Sequence, residues 1–322
     1  MFTIRPFNPI DEEYEALAAV EKAVNPDNAE TAANLKRFDT VWDTNYLRQP
    51  FVVEADDRIV AFAIYNERPW SYSPGKYGFN ITVHPDYEGQ GIGSAVYNQI
   101  LQEVQQQKHP LVQLNTHARS DKPQSIRFLE KRGFEAVMRW LVSVLNVTQF
   151  DVSRYRGLRQ KLAAERMAIR PLPQQKLLDP HWLNNVYELD WQLALDEPQP
   201  SPPTKEPLEQ YVKRHIENPD LIQDAWFVAV DEDGRYIGMT QLFRNENNPT
   251  EYGSGFTGVA RSHRRRGIAT ALKSYAIEYA QRQGIQTIRT GNEEHNPMYQ
   301  LNVQLGFKDL RADMAFEKRF GD

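Results

Sequence analysis

The stretch HRRRGIATALKSYAIEYA, from His263 to Ala280, combines a basic cluster, a glycine and apolar residues at helical spacing. From Ile268 onward the apolar residues recur every three or four positions, which predicts an amphipathic helix that begins just after Gly267. The preceding run SGFTGVA, from Ser254 to Ala260, predicts a β-strand. A strand, a glycine turn and a helix in this order bring free backbone N–H groups and the positive end of a helix dipole together. Such a spot stabilises an anion, for example a phosphate.

The same order occurs a second time in the chain. YEGQGIGSAVYNQILQEV, from Tyr87 to Val104, places Gly91 176 residues before Gly267 and follows the strand-like run FNITVHP. An opening strand, a hairpin, a short apolar strand and a helix closed by Gly-Phe recur in the same order. The sequence therefore predicts two copies of one α/β domain, each with a mixed, mainly antiparallel central sheet flanked by helices. We expect the first domain at residues 1–150, a connecting helical segment at 151–165 and the second domain at 166–322.

Bulk composition narrows the functions that the basic cluster can serve. The chain has 322 residues, with 38 basic and 43 acidic side chains and a net charge of −5, which argues against coating of DNA or RNA. It has no cysteine, so thiol nucleophiles, disulfides and cysteine-ligated zinc are excluded. No histidine pair has metal-ligand spacing, and neither a signal peptide nor an apolar run of about 18 residues occurs. We expect a cytoplasmic protein without a metal and without nucleic-acid or membrane partners.

Three phosphate-binding patterns can be compared with the glycine turn. A P-loop needs a Lys-Ser/Thr pair, which neither copy has, and the literal GxGxxG at Gly253–Gly258 lies inside a predicted strand and opens no helix. The third pattern, [R/Q]-x-x-G-x-[G/A] between a strand and a helix, is matched in full from Arg264 to Ala269. In the first copy Glu88 stands at the Arg/Gln position. The pattern resembles the acyl-CoA-binding motif of the GNAT superfamily of N-acetyltransferases, and the segment from Asn292 to Phe307 resembles the tandem branch that includes mycothiol synthases.

The resemblance implies a transferase that moves an acetyl group from acetyl-CoA to a primary amine of a small molecule or peptide by direct attack. A non-catalytic acyl-CoA-binding protein is the alternative, and a monomer or homodimer is expected. In the family the thioester carbonyl lies at a backbone N–H of the strand before the glycine turn, here Val259 or Val83. The implied acyl-CoA-binding residues of the second copy are Val259, Arg264, Arg265, Arg266, Gly267, Ile268, Ala269, Thr270, Asn296 and Asn302. A weaker set in the first copy is Val83, Gln90, Gly91, Gly93 and Ser94.

Proton transfer has several candidates in the second copy. Many family members use a tyrosine, four residues before the glycine of the Gly-Phe pair, to protonate the leaving thiolate. That position is Asn302 in the second copy, with Tyr299 three residues away. Glu293 and Glu294 follow the predicted strand and are candidate bases, while a role as solvated loop carboxylates stays open.

The two copies are expected to differ in activity. The first copy has Glu88 in place of Arg or Gln, and Leu129 in place of the tyrosine. The sequence therefore predicts that the second domain is active and the first degenerate. On this basis a bulky residue at Gly267 should abolish activity, whereas one at Gly91 should not.

Overall fold

Contacts between residues separate the chain into two units in the computed structural model, which describes residues 1–27 and 29–321. The first unit comprises Met1–Met138 and the segment from Met314 onward, and the second comprises Arg139–Asp313. The predicted division differs in two places. Residues 139–150, expected in the first domain, belong to the second unit, and the segment from Met314 onward belongs to the first. The reason is that the last strand of each sequence repeat begins in one unit and ends in the other.

The first unit follows the order of elements that the sequence predicts. Its hairpin turns at Asp56 and Asp57, whose left-handed φ angles of 51° and 57° suit a two-residue turn between twisted strands. In chain order the elements are β1 (Thr3–Pro6), α1 (Asp11–Val24), α2 (Ala32–Thr40), β2 (Arg48–Ala55), β3 (Arg58–Asn66), β4 (Lys76–Val83), α3 (Ile92–Val104), β5 (Gln113–Arg119), α4 (Pro123–Glu130) and the start of β6 (Glu135–Asn146).

The second unit repeats this order, and a helix lies where a connecting helix is predicted. Its elements are the end of β6, α5 (Arg156–Ala164), β7 (Ala168–Pro171), α6 (Leu172–Leu178), α7 (Trp182–Ala194), α8 (Leu208–Tyr211), β8 (Phe227–Val230), β9 (Tyr236–Arg244), β10 (Glu251–Val259), α9 (Ile268–Arg282), β11 (Thr287–Glu293), α10 (Pro297–Leu305) and the start of β12 (Lys308–Arg319). A π-helical segment, Val212–Ile216, directly follows α8.

Each unit contains a mixed sheet, as predicted. In the first unit β1, β2, β3 and β4 pair antiparallel in that order, and β4 pairs with β5 in parallel. In the second unit β7, β8, β9 and β10 pair antiparallel, β10 pairs with β11 in parallel, and β11 pairs antiparallel with the end of β6. The prediction of a mainly antiparallel sheet flanked by helices is therefore confirmed.

The helices that follow the two glycine turns are fixed by their apolar faces. In α3 the side chains of Ile92, Val96, Ile100 and Val104 recur every four residues and are at most 2% exposed. In α9 Ile268, Leu272 and Ala276 have the same spacing and are similarly buried. Burying one such aliphatic side chain stabilises a fold by about 1.5–3 kcal/mol, so each helix start is held firmly beside its sheet.

Candidate functional site

In the first unit the parallel strands β4 and β5 separate after a short stretch of pairing. Three described residue pairs connect them, ending at Gly78 and Asn115. Beyond this point lies a cavity of about 480 Å³, lined by the ends of β4 and β5, by the last turn of α1 and by the starts of α3 and α4. A concave space of this size between separating strands is typical of a ligand-binding cleft.

The backbone N–H of Val83 is directed towards this cleft. Val83 lies opposite Ala61 in the β3–β4 register, and the N–H of the next residue, His84, donates to the carbonyl of Val60 at 2.8 Å. Successive residues of a strand send their N–H groups to opposite sides, so the N–H of Val83 points away from β3. Because Val83 also lines the cavity, its N–H can donate to a carbonyl oxygen bound there.

The glycine turn at the start of α3 forms an open part of the cleft. Gly89 and Gly91 have left-handed φ angles of 76° and 85°, and a Cβ added to either would meet no described atom within 4 Å. The helix's backbone bonding begins where the N–H of Ala95 donates to the carbonyl of Gly91 at 3.0 Å. The N–H groups of the three residues after Gly91 therefore precede this bonding. An open helix start of this kind suits a phosphate group.

Polar side chains around this turn already have protein partners. The Gln90 amide donates to the Asp86 carbonyl at 3.2 Å, and Ser94 Oγ accepts a hydrogen bond of 2.8 Å from Arg132. Glu88 is exposed, lines the cavity and accepts a long hydrogen bond of 3.4 Å from Gln124. Its carboxylate therefore stands at the edge of the open turn.

The equivalent turn of the second unit has the same backbone course but different surroundings. Arg265, with a left-handed φ of 64°, stands where the first unit has Gly89, and Gly267, with a φ of 86°, stands where it has Gly91. A Cβ on Gly267 would lie 2.6 Å from Cδ1 of Leu158. The helix α5 therefore packs directly against this glycine turn.

Helix α5 is held against the middle of α9 by several contacts. Arg159 donates to Ser274 Oγ at 3.0 and 3.1 Å and to Glu278 at 2.5 Å, and its guanidinium lies 3.8 Å from the centre of the Tyr275 ring. The carboxylate of Glu165 accepts a hydrogen bond of 2.6 Å from Arg266. Atoms of α5 thus occupy the side of the Gly267 turn that is open at Gly91.

The basic cluster of the second unit is paired with carboxylates of the same unit. Arg264 and Arg261 both donate to Asp196, and Arg264 also donates to the carbonyl of Val259 at 3.0 Å. The hydrogen bond from Arg261, aided by the charge of Arg264, holds the pKa of Asp196 below its usual value. Ile268 belongs to the apolar core, with 2% of its surface exposed. Much of the positive charge that was expected to bind a pyrophosphate is therefore neutralised by carboxylates of the protein.

Strand β10 nevertheless ends with the same backbone geometry as strand β4 of the first unit. The N–H of Ala260 donates to the carbonyl of Ile237 at 2.8 Å, and Val259 lies opposite Gly238. By the same alternation, the N–H of Val259 points away from β9. The two repeats thus share the strand geometry and differ at the glycine turn.

Asn302 and Tyr299, two of the residues predicted to be catalytic, contact other side chains of the second unit. Asn302 is 1% exposed, and its Nδ2 donates to Asn292 Oδ1. The hydroxyl of Tyr299 donates to Asp309 at 2.8 Å, and this bond raises the pKa of Tyr299. The described hydrogen bonds do not join Tyr299 to Asn302.

Three further predicted site residues, Glu293, Glu294 and Asn296, form hydrogen bonds or ion pairs with other protein groups near the start of α10. Glu293 is 7% exposed and accepts hydrogen bonds from the backbone and ring of His295 at 2.9 and 2.8 Å. The carboxylate of Glu294 pairs with Arg139 at 3.0 Å. Asn296 caps α10, since its Oδ1 accepts a hydrogen bond of 2.9 Å from the N–H of Met298.

A polar group that no sequence motif marks as a site lines the cleft of the first unit. This group consists of Glu21 and Asn25 at the end of α1 and of His117 and Arg119 on β5. Surrounding protein atoms and the nearby charge of Arg68 lower the pKa of His117 to about 4, so its ring is neutral at pH 7. No local sequence pattern joins these residues, because Glu21 and Asn25 lie more than 90 positions before His117 and Arg119 in the chain.

Comparison with known proteins agrees with this geometry. The model of the acetyltransferase (GNAT) family matches residues 16–134 and 183–307, and the chain belongs to that family, with two GNAT domains in tandem. A GCN5-related N-acetyltransferase from Sphaerobacter thermophilus is similar over 100% of this chain and 97% of its own, with 19% identity and a TM-score of 0.72. A tandem GNAT protein from the clavulanic acid biosynthesis pathway is similar over 100% and 99%, with 18% identity and a TM-score of 0.74. A search of curated proteins gives no match.

Among residues 1–27 and 29–321, no helix is long and apolar enough to cross a membrane. No three histidine, cysteine, aspartate or glutamate side chains among them form a group that could hold a metal ion.

Proposed function

We propose that the protein transfers an acetyl group from acetyl-CoA to a primary amine, and that the cleft of the first unit binds the acetyl-CoA. The observation that carries this proposal is the cavity of about 480 Å³ at the separation of β4 and β5. It joins the N–H of Val83 to the open glycine turn at Gly91. Both features that the family motif requires therefore line one space.

The difference between the two glycine turns supports the choice of the first unit. Gly91 faces open space, whereas Gly267 is covered by Leu158 and the neighbouring Arg266 is paired with Glu165. The motif alone favours the second domain, because Arg264 matches it and Glu88 does not. The open space beside Gly91 supports the first unit, because at Gly267 the Leu158 side chain already occupies the side of the turn that is open at Gly91.

Each part of the cleft has a chemical role in this proposal. The N–H groups that follow Gly91 bind the pyrophosphate at the helix start. The N–H of Val83 donates to the thioester oxygen and stabilises the negative charge that develops there as the amine attacks. Preorganised donors of this kind typically contribute about 100-fold or more to a rate.

Release of CoA thiol tests the proposal. Purified protein is mixed with acetyl-CoA and a panel of primary amines that includes 1,4-diaminobutane, glucosamine and alaninamide. We expect the variant Gly91→Glu to lose thiol release, because its carboxylate would occupy the turn. Gly234→Glu is the matched control, since Gly234 also has a left-handed φ, 80°, and open space around it but belongs to the β8–β9 hairpin.

The outcomes separate this function from the alternative. Thiol release by the native protein and by Gly234→Glu, but not by Gly91→Glu, supports transfer in the first unit. Acetyl-CoA binding without release for any amine of the panel would favour the non-catalytic acyl-CoA-binding protein. Full release by Gly91→Glu would contradict the assignment to the first unit.

A further inference from the structure

Glu21 is the carboxylate that α1 contributes to the cleft of the first unit. Besides Glu21, the titratable and charged residues that line this cavity are Tyr87, Glu88, His117, Arg119 and Lys122. Glu88 stands beside the glycine turn, whereas Glu21 lies on α1 with Asn25 close by. The cleft therefore has a second acidic group that the binding of a pyrophosphate does not explain.

A short series of hydrogen bonds holds Glu21 in place. Asn25 Nδ2 donates to Glu21 Oε1 at 2.6 Å, and Arg119 donates to Asn25 Oδ1 at 2.8 Å. Arg119 is itself held by Asp121, at 2.7 and 2.9 Å. Among the described residues, no hydrogen bond reaches Oε2 of Glu21. One oxygen of the carboxylate is thus fixed and the other is left for a ligand.

The surroundings of Glu21 also suit a base. Burial raises the pKa of Glu21, while the Asn25 hydrogen bond and the charge of Arg119 oppose that change. The neutral ring of His117 is the competing base, but its pKa of about 4 means that it holds a proton weakly. A carboxylate whose pKa lies above its ordinary value accepts a proton more readily than such a ring.

We propose that Glu21 binds the ammonium group of the acceptor and accepts its proton, an inference that rests on the transfer function proposed above. Asn25 and Arg119 are positioning residues, because they act on the acceptor through Glu21. The acceptor class that follows is a primary amine that enters the cleft as a cation.

The proposed step balances without a protein acid. Glu21 takes one proton from the ammonium, and the neutral nitrogen then forms a bond to the thioester carbon. When the carbon–sulfur bond breaks, the electron pair leaves on the CoA sulfur, which takes the second proton from the new amide nitrogen. Glu21 afterwards releases its proton to water. This accounts for Leu129 at the position where many relatives have a tyrosine, because the thiolate needs no separate donor.

The variant Glu21→Gln tests the proposal, since it keeps the shape and the acceptor for Asn25 but removes the base. With the best amine of the panel and saturating acetyl-CoA, we expect kcat/KM for the amine at pH 7 to fall about 100-fold. We expect the Kd for acetyl-CoA to stay within about twofold, which also shows that the variant is folded. Glu15→Gln is the matched control, because Glu15 is an exposed glutamate of the same helix outside the cavity.

The pH profile distinguishes a base from a merely structural carboxylate. The native protein should lose kcat/KM as the pH falls through the pKa of Glu21, and Glu21→Gln should lack that decrease. In Asn25→Ala the carboxylate loses a hydrogen bond that favours its charged form, so its pKa rises and the decrease should move to higher pH.

The possible failures are distinguishable. If Glu21→Gln transfers acetyl groups with the kcat/KM and pH profile of the native protein, the role of Glu21 is wrong and the proposed function stands. If the native protein releases no CoA with any amine of the panel, the proposed transfer fails and the inference about Glu21 fails with it.

Discussion

Gly91 and Gly267 occupy the same place in the two repeats, and their neighbours decide what each turn can bind. Both have a left-handed φ, which glycine adopts without the steric cost that a Cβ brings. Around Gly91 the space is open, whereas Leu158 lies where a ligand would approach Gly267. A motif match therefore identifies the backbone conformation of the turn. Whether a ligand can reach that turn depends on a side chain more than 100 residues away in the chain.

Glu88 is the residue of the open turn that fits a phosphate least well. Two like charges about 6 Å apart in water repel each other by about 0.7 kcal/mol, which corresponds to about threefold in affinity. We expect Glu88→Gln to bind acetyl-CoA about threefold more tightly in calorimetric titration at low salt. The gain should disappear at 1 M salt, where charges are screened.

Glu130→Gln provides the comparison for Glu88→Gln, because Glu130 is exposed at the end of α4 and does not line the cavity. It should leave the affinity unchanged. An unchanged or weaker affinity for Glu88→Gln would mean that the Glu88 carboxylate is directed away from the pyrophosphate or contributes to binding.

Helix α9 has a buried lysine at a position where α3 has a tyrosine. Lys273 is 4% exposed in the second unit, where Tyr97 is the matching residue of the first. Its Nζ lies 3.4 Å from Ser254 Oγ and 5.5 Å from the centre of the Phe307 ring. Burial lowers the pKa of Lys273 to about 8, so its charge is carried in the core at pH 7.

This burial predicts a stability that depends on pH. Below pH 8 the lysine is charged in both folded and unfolded chains, and a pKa difference of about two units costs the fold about 3 kcal/mol. Between pH 8 and about 10.4 the unfolded chain binds more protons, so the native stability should rise with pH and the cost should fade. We expect Lys273→Met to raise the free energy of unfolding by about 3 kcal/mol at pH 7 and by much less at pH 9.5.

Urea unfolding at the two pH values measures this difference. The exposed Lys308 provides the control, since Lys308→Met should change the free energy of unfolding little at either pH. An equal gain from Lys273→Met at both pH values would attribute the effect to packing rather than to the buried charge.

Element order and type follow from local patterns in this sequence. Alternating apolar residues around Asp56-Asp57 predict a hairpin, and apolar spacing after Gly91 and Gly267 predicts the two helices, because neighbouring residues decide these features. The contact of Leu158 with Gly267 and the bonds between Glu21, Asn25 and Arg119 do not follow from such patterns. They depend on how distant elements pack, which no short stretch specifies.

For the whole molecule, two similar repeats produce two units with different surroundings at the acyl-CoA motif. The sequence predicts the repeat, and the family match over both halves confirms it. The sequence does not predict to which unit each final strand belongs, because β6 and β12 have ordinary strand patterns that do not specify a pairing partner. The expected division at residues 150 and 166 therefore differs from the contact-based units, which place residues 139–150 in the second unit.

The molecule is expected to bind one acetyl-CoA per chain, in the first unit. Calorimetric titration of the native protein and of Gly91→Glu with acetyl-CoA measures this most directly. We expect one site in the native protein and none in Gly91→Glu. Two sites in the native protein, or one site that survives in Gly91→Glu, would contradict it.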